Sequence, residues 1–345
     1  MKVSALYVYP IKGLRGIGLE SAEIGPQGIR HDRRFMLYEV QATTSALKKI
    51  QLDTHPACAL FQPQIVSGSQ NGDSEIVVRF LGDPPQNGRP EDENGDSMSV
   101  PLEPNLSTLD KIEVDLHGSP ASAYRMGDSY DVWFSRRFGV QTILVYLGDG
   151  RRAVLGNTLL PKAALGQQRG WITPLSSYIS GTRQGGEDST PWIAFSDVAP
   201  LLVASESSLQ DVRDRLLGGH LVEMYKFRPN IVVDGQSEDA WAEDFWAELR
   251  IGAENTLQLT GNCVRCVSLN VDYKTGKPAE GEEGNVLKRL MKDRRVDTGS
   301  KWSPVFGRYA FLGGRHSKGI TVAVGDGVEV TRRNAERTVW DWPDL

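Results

Sequence analysis

The 345-residue sequence has few cysteines, no long apolar run and no excess of positive charge. Its three cysteines, Cys58, Cys263 and Cys266, are too few for a disulfide framework, so we expect reduced thiols. No stretch approaches the roughly 20 consecutive apolar residues that a membrane-spanning helix needs. A strand-like segment begins at Val3 and leaves no room for a signal or transit peptide. We therefore expect a cytoplasmic protein without a membrane span.

The charge composition argues against nucleic acid as the ligand. Lys and Arg number 39 against 44 Asp and Glu, which gives a formal net charge of −5. Proteins that bind phosphate backbones usually carry a basic excess, so no nucleic-acid partner is expected. An anionic ligand must instead be held by local groups. The GxGxxG, GxxxxGK[ST], HExxH and GxSxG strings are also missing, which disfavours nucleotide and serine hydrolysis.

Short β-like runs separated by Gly, Pro, Asn and Asp outnumber the helical stretches. This pattern predicts an α+β chain that is mainly β. Val3–Tyr9 is almost entirely apolar and predicts a strand covered on both faces, which places Lys12 close to a strand end. Lys111–Leu116 alternates between polar and apolar residues and predicts a half-buried strand, until His117 and Gly118 interrupt the pattern.

The length indicates more than one domain. At roughly 100 to 200 residues per domain, 345 residues predict two. We place a first domain at 1–125, a connecting segment and second domain at 126–335, and a tail at 336–345. Residues 70–96 are rich in Gly, Pro, Asn and acidic residues and predict a solvated loop, apart from a strand signal at Ile76–Phe80.

Two helices have clear sequence signals. Ser207 and Gln210 have capping-box spacing for the first, and the glycine pair at 218–219 supplies its stop. The second begins near Val286 with Asn285 as its N-cap. The cations of this second helix form either a solvated face or a surface for an anion or a partner.

The strongest chemical signal is the Cys-x-x-Cys pair Cys263 and Cys266. The spacing suits zinc, but a structural zinc site takes four ligands, and the sequence adds only Cys58 and scattered histidines. A thioredoxin-like redox pair belongs at a helix N-terminus, whereas alternation over 266–272 predicts a strand. On that strand Cys266 shares a face with polar residues, which favours a thiol presented to a cleft, with Arg265 favouring thiolate. A half-buried spare cysteine is the alternative, and Cys263 is interpreted as a structural or auxiliary thiol.

A second polar segment, Arg228-Pro229-Asn230, enters an apolar run. Proline fixes the backbone between a guanidinium that can fork onto phosphate or carboxylate and an amide that both donates and accepts hydrogen bonds. The segment is therefore either a polar clamp or an ordinary turn that leads into a strand.

Six segments together carry a family resemblance: Tyr9–Gly13, His31–Met36, Phe195–Asp197 with Ser205–Glu206, Phe227–Asn230, Cys263–Cys266 and Pro304–Tyr309. They occur in the order found in MOSC proteins, and the sequence resembles this family over nearly its whole length, close to the branch that contains the mitochondrial amidoxime-reducing component. The resemblance implies an N-terminal β-barrel-like domain packed on a MOSC β-barrel domain with a few helices. It also implies a molybdenum cofactor between the two domains.

The resemblance implies roles for individual residues. Cys266 is implied as the protein ligand of molybdenum, in agreement with the affinity of soft thiolates for such a centre. Asp197 and Tyr309 are implied near the reacting centre. The other implied positions surround the anionic pterin phosphate, and they are Lys12, Gly13, Arg33, Arg34, Arg228 and Asn230. This chain departs from the family in having glycine at position 13, where serine is common.

The function implied by the resemblance is a molybdenum-dependent oxidoreductase that reduces N-oxygenated small molecules such as amidoximes or hydroxylamines. Three cysteines cannot hold a four-cysteine iron–sulfur cluster, so electrons are expected from a separate donor protein, cytochrome b5-like or a ferredoxin or flavoprotein. The alternative class is a non-catalytic molybdenum-cofactor or sulfur carrier, as MOSC domains fused to cofactor sulfurases suggest. A zinc-bound structural protein is the third.

Overall fold

The computed structural model describes residues 1–67, 74–82, 97–161, 191–314 and 319–343. The predicted loop at 70–96 lies outside this range except for residues 74–82, where strand Ser74–Phe80 confirms the strand signal. The described residues are mainly strand, with few helices, which confirms the expected fold class.

The strands of the N-terminal half are β1 Val3–Val8, β2 Ile17–Leu19, β3 Ser21–Gly25, β4 Gly28–Ile29, β5 Phe35–Val40, β6 Leu47–Lys49, β7 Phe61–Ser67, β8 Ser74–Phe80, β9 Ser97–Pro101, β10 Asp110–Leu116, β11 Ser119–Arg125 and β12 Thr142–Tyr146. The later strands are β13 Arg152–Ala153, β14 Trp192–Ile193, β15 Leu201–Ser205, β16 Ile231–Val233, β17 Trp246–Ile251, β18 Asn255–Val264, β19 Val271–Asp272, β20 Lys277–Pro278, β21 Val305–Leu312, β22 Ile320–Ala323 and β23 Val328–Arg333. The α-helices are α1 Asp128–Phe138, α2 Glu206–Asp214 and α3 Val286–Leu290.

The largest sheet has eight strands in the order β2-β1-β16-β15-β21-β18-β17-β23. Strands β15 and β16 pair parallel, and the other neighbours pair antiparallel. Side chains of β16 alternate between two cores: Ile231 and Val233 join one cluster, whereas Val232 joins the cluster that α2 and α3 cover. The N-terminal strand β1 lies inside this sheet and is covered on both faces, as its apolar sequence predicts.

A second sheet, β10-β11-β12-β5-β6, carries the other part of the cleft described below. Its β5 and β12 pack with β7, β8, β9 and α1 around a core that contains Phe61 and Trp133. Strands β10 and β11 form a hairpin whose two-residue loop is His117-Gly118, with φ of +60° and +74°. Positive φ at both loop positions is typical of the tight hairpin turns that match strand twist. The interruption of the alternating pattern therefore marks this turn.

The strand expected over residues 266–272 is wrong for residues 266–270, and only Val271–Asp272 form a short strand, β19. Strand β18 ends at Val264, and Val267–Asn270 form a 3-10 helix with Cys266 at its N-cap. The pairing of β18 with β21 ends here because the residue that precedes β21 is Pro304. Proline has no backbone N–H, so Pro304 can only accept a hydrogen bond, which it does from Arg265 N. The side chain of Val267 is consequently 51% exposed rather than buried.

The expected capping box of the first helix is also wrong. Helix α2 begins at Glu206 with Ser205 at the N-cap, and neither serine caps it through its side chain. The Ser207 hydroxyl instead donates to Gly235 O, and Gln210 contacts Asp214. For the second helix the N-cap position Asn285 is confirmed, although its amide donates to Gly281 O rather than capping the helix.

Candidate functional site

A cleft of about 250 Å³ lies among the ends of strands from both large sheets and the loops that follow them. The cleft takes residues from the loop after β1, the β10–β11 hairpin, the segment between β14 and β15, and the end of β18. The predicted site residues that line it are Lys12, Gly13, Arg33, Asp197, Arg228, Asn230, Cys266 and Tyr309. The fold thus brings together residues that lie almost 300 positions apart in the sequence.

Arg34 does not line this cleft. It follows Arg33 directly but donates to Gly148 O and lies over the ring of Tyr146, at 5.8 Å from its centroid. Arg34 faces a separate cleft of about 610 Å³, whose lining includes Arg30 and Glu103. The side chains of the neighbouring Arg33 and Arg34 therefore line two different clefts.

Lys12 and Asp197 form an ion pair inside the cleft, with Lys12 Nζ 2.5 Å from Asp197 Oδ1. The Lys12 side chain is 5% exposed, and that of Asp197 is 43% exposed. Burial lowers the pKa of Lys12 to about 8, and the neighbouring carboxylate only partly opposes that fall. Burial acts against ionisation of Asp197, but Lys12 and His117 outweigh it and hold the pKa of Asp197 well below its ordinary value.

His117 is a cleft residue that the sequence analysis did not select. Its Nε2 lies 3.2 Å from Asp197 Oδ1, and its Nδ1 lies 2.9 Å from Lys49 Nζ. Its backbone oxygen accepts a hydrogen bond from Trp342 Nε1, which ties the C-terminal tail to the hairpin. The only sequence signal was the polar pair that interrupts the strand pattern.

Two arginines stack on the faces of one buried tyrosine. The guanidinium carbons of Arg33 and Arg228 lie 4.6 Å and 4.4 Å from the ring centroid of Tyr9. Arg33 Nη2 donates to Arg228 O, and Arg228 itself adopts a left-handed backbone conformation with φ of +56°. Asn230 Oδ1 accepts from Leu202 N at 3.1 Å and from Arg33 Nη1 at 3.2 Å. Asn230 thus joins β15 to Arg33, and the role of the Arg-Pro-Asn segment as a clamp for a ligand stays a prediction.

The cleft contains more cationic than anionic side chains. The cations are Lys12, Arg33, Arg228 and Arg265, and the carboxylates are Asp53 and Asp197. Among the residues that the structure describes, four buried polar atoms of the cleft lack a well-aligned hydrogen-bond partner: Nη2 of Arg228, Nε of Arg265, Nε1 of Trp340 and Oγ of Ser196. Buried donors without partners are costly, so this donor-rich set is suited to an anionic ligand.

The two cysteines of the Cys-x-x-Cys pair occupy different environments. Cys266 is exposed, and its Sγ lies 3.2 Å from Ser268 Oγ. Cys263 is buried: its thiol donates to the Tyr309 hydroxyl at 3.2 Å and accepts from Arg265 Nη1 at 2.9 Å. Burial raises the pKa of both Cys263 and Tyr309. The exposed thiol expected at Cys266 is present, although the guanidinium of Arg265 lies on Cys263.

Gly13 has a structural reason to be glycine. Its φ is +89°, and a Cβ at this position would lie 3.3 Å from Ile50 O. A serine here would adopt a backbone conformation that residues with side chains rarely take. Glycine at position 13 is therefore compatible with this backbone, and a serine would be strained.

Two features are absent from the described ranges. These ranges contain no group of three or more His, Cys, Asp or Glu side chains placed to hold a metal ion. They also contain no helix of the length and apolar character required to span a bilayer.

The mainly β fold contains a cation-rich cleft with an exposed thiol, an arrangement suited to an anionic ligand. Comparison with family models is more specific. The MOSC N-terminal beta barrel domain matches residues 1–141, and the MOSC domain matches residues 190–329. The chain belongs to the MOSC-domain family, which confirms the resemblance.

Curated relatives fall into two groups. Mitochondrial amidoxime-reducing component 1 of Mus musculus is 38% identical over 332 residues, covering 94% of this chain and 81% of that protein. Mitochondrial amidoxime reducing component 2 of Bos taurus is 27% identical over 313 residues, covering 89% of this chain and 77% of that protein. Molybdenum cofactor sulfurase of Oryza sativa subsp. japonica is 24% identical over 289 residues, which cover 81% of this chain but only 30% of the sulfurase.

Proposed function

We propose that the protein is a molybdenum-cofactor-dependent oxidoreductase that reduces N-oxygenated small molecules, such as amidoximes and N-hydroxylated amines, with electrons from a separate donor protein. The observation that carries the proposal is the exposed Cys266 thiol beside a cleft with four cations and two carboxylates. The names of the relatives that match most of the chain support the substrate class.

The residues of the cleft fit the cofactor. A soft thiolate ligand from Cys266 suits a sulfur-rich metal centre. The unpartnered nitrogens of Arg228 and Arg265 offer donors to a phosphate, and guanidinium groups bind phosphate in a fixed orientation. Lys12 adds a compact positive charge that burial already makes costly, so an anion at this place stabilises its charged form. When bound, the cofactor supplies the two-electron redox chemistry.

The reaction balances with electrons and protons from outside the substrate. An N-hydroxylated amine takes up two electrons and two protons, its N–O bond breaks, and the products are the amine and water. The protein's contribution is to orient the substrate, exclude bulk water and deliver protons to the departing oxygen. Asp197, whose side chain is 43% exposed, and the buried Tyr309 line the cleft and are the proposed contacts of the substrate.

The surface beside Cys266 fits an acidic electron-donor protein. Val267 and Trp302 expose 51% and 80% of their surface, and Ser303, next to Trp302, lines the cleft. Residues 286–303 contain six Lys or Arg and two Asp, although the whole chain is acidic. The exposed cations in this segment include Lys288, Lys292, Arg295 and Lys301. An exposed tryptophan in a basic segment that reaches the cleft provides both apolar contact and charge complementarity.

A carrier is the second candidate. Cys266 lies at the protein surface, where a partner can reach it, and one relative is named as a molybdenum cofactor sulfurase. In this case the chain binds the cofactor or a sulfur atom and passes it on without turnover.

The decisive experiment combines metal analysis with a reductase assay. Wild-type protein from molybdenum-supplied cells is assayed with an aromatic amidoxime and a chemical electron donor, beside Cys266→Ala and the control Cys263→Ser. We expect molybdenum and amidine formation in wild type and the control, and loss of both in Cys266→Ala. Molybdenum without turnover in wild type supports the carrier, and turnover by Cys266→Ala contradicts the proposed role of this cysteine.

A further inference from the structure

Four side chains form a continuous hydrogen-bonded row that runs from a half-buried lysine into the cleft. Lys49 Nζ lies 2.9 Å from His117 Nδ1, and His117 Nε2 lies 3.2 Å from Asp197 Oδ1. The same oxygen lies 2.5 Å from Lys12 Nζ. Lys49 belongs to β6, His117 to the β10–β11 turn and Asp197 to the segment before β15, so three distant parts of the chain build the row.

The chemistry of the end groups fixes the direction of every hydrogen bond. A lysine ammonium has only donors, so His117 Nδ1 must accept from Lys49. A neutral imidazole then carries its hydrogen on Nε2 and donates it to the Asp197 carboxylate. Burial is the main factor that lowers the pKa of His117, and Lys12 and Lys49 act in the same direction, whereas Asp197 opposes them. The His117 ring is therefore neutral: it accepts a hydrogen bond from Lys49 at Nδ1 and donates one to Asp197 at Nε2.

We propose that Lys49, His117 and Asp197 form a proton relay that supplies the reduction in the cleft from solvent. The inference rests on the proposed function, because that reaction consumes two protons per turnover. In one passage, the Nε2 proton moves to Asp197 Oδ1 while a Lys49 proton moves to His117 Nδ1. Asp197 then gives its proton to the substrate oxygen as the N–O bond breaks, which leaves the ring protonated at Nδ1 and Lys49 neutral. The starting state returns when Nε2 takes up a proton from water and Nδ1 gives its proton back to Lys49, so that a second passage can follow. The donor protein supplies the two electrons, and the oxygen leaves as water.

The surroundings of His117 hold the relay in place. The positive φ values at the hairpin turn orient the ring, and Trp342 Nε1 fixes the His117 carbonyl at 2.9 Å. Asp197 is a strong acid in this environment, so it passes a proton on rather than storing it. Lys12 contacts the same carboxylate oxygen as His117, and its positive charge keeps Asp197 ionised between passages.

The ring's protonation state is tested first, and this arm needs neither cofactor nor turnover. Nitrogen NMR of the ¹⁵N-histidine-labelled protein, with His117 assigned by its loss in His117→Gln, reports which ring nitrogen carries hydrogen. We expect a neutral ring protonated at Nε2 at pH 7, with a pKa below the ordinary 6.5. A ring protonated at Nδ1, or an imidazolium at pH 7, would overturn the proposed direction of the relay.

Kinetics test the transfer itself, with a chemical electron donor so that protein docking plays no part. His117→Gln keeps an amide that can donate to Asp197 but cannot relay a proton, so we expect kcat to fall about a hundredfold with KM unchanged. Lys49→Met should reduce kcat less. Lys48→Met is the matched control on the same strand, because Lys48 is exposed and approaches Glu39, and it should leave kcat unchanged.

Chemical rescue separates proton transfer from structural support. Added imidazole should restore part of the kcat of His117→Ala, whereas a merely structural histidine would not be replaced in this way. Unchanged kcat in His117→Gln, or no rescue of a folded His117→Ala, would contradict the relay while leaving the proposed function standing. Absence of turnover in molybdenum-loaded wild type would instead contradict the proposed function, and with it the relay's role in catalysis.

Discussion

Replacement of Asp197 by asparagine should destabilise the protein more at pH 6 than at pH 9. In the folded protein the buried Lys12 has a pKa of about 8, against 10.5 for an ordinary lysine. At 1.36 kcal/mol per pKa unit, keeping Lys12 charged costs the folded state about 3 kcal/mol at neutral pH. Asp197 raises the pKa of Lys12, so removing the carboxylate lowers that pKa further.

The sign follows from proton binding. Between the folded pKa of about 8 and 10.5 the unfolded chain binds more protons at Lys12, so stability rises with pH in that window. In Asp197→Asn the window begins at a lower pH. Below it, the variant has an additional cost of about 1.4 kcal/mol for each unit by which the Lys12 pKa falls. At pH 9 Lys12 is neutral in both folded proteins, and this pH-dependent part disappears.

The measurement is the free energy of unfolding in urea at pH 6 and pH 9, followed by tryptophan fluorescence. Asp53→Asn is the matched control, since Asp53 also lines the cleft but does not pair with Lys12. Its effect should be similar at both pH values. Equal destabilisation by Asp197→Asn at pH 6 and pH 9, or more at pH 9, would refute the account of the buried ion pair.

Three further predictions follow from single residues. Arg228→Lys keeps the charge but loses the forked geometry, so molybdenum retention after dialysis should weaken roughly ten- to a hundredfold, while thermal stability stays unchanged. Retention equal to that of wild type would show that Arg228 does not hold the cofactor. Cys266 is exposed and should react rapidly with a thiol reagent in the native protein, whereas the buried Cys58 and Cys263 should react only on unfolding. Rapid labelling of all three thiols in the native protein would contradict this prediction. Gly13→Ser should destabilise by about 1 to 2 kcal/mol in urea unfolding, because φ is +89°, and no loss would show that the turn adapts.

Local pattern predicted much of the fold. The apolar run at Val3 and the alternation at Lys111 each became a strand, because burial on two faces or one leaves a direct trace in sequence. The alternation after Cys266 misled because strand pairing there ends at Pro304, which is distant in sequence. A local sequence pattern contains no information on which backbone hydrogen-bond donors the partner strand offers.

The site was predictable to the extent that motifs carry the family resemblance. That resemblance selected eight residues that line one cleft, together with Arg34, which faces another. His117 was missed because its importance comes from long-range contacts with Lys49 and Asp197. Arg265 was noted only as a neighbour of Cys266, although its guanidinium reaches back to Cys263. Side-chain direction at a strand end depends on tertiary packing, which local spacing does not reveal.

Two expectations remain predictions. The division of the chain at 125 and 335 is one of them: β12 joins β5 in one sheet, and β1 pairs with β16 in the other, so sheet pairing crosses the boundary at 125. The cytoplasmic location is the second, and the relatives named as amidoxime-reducing components are named as mitochondrial.

The central claim is that the Cys266 thiolate holds molybdenum in this cleft, and X-ray absorption at the molybdenum edge tests it most directly. Spectra are compared for wild type, Cys263→Ser and Cys266→Ala, each reconstituted with the same cofactor. We predict that Cys266→Ala alone loses one sulfur neighbour of the metal or fails to retain the metal. An unchanged sulfur shell in fully loaded Cys266→Ala would contradict the account.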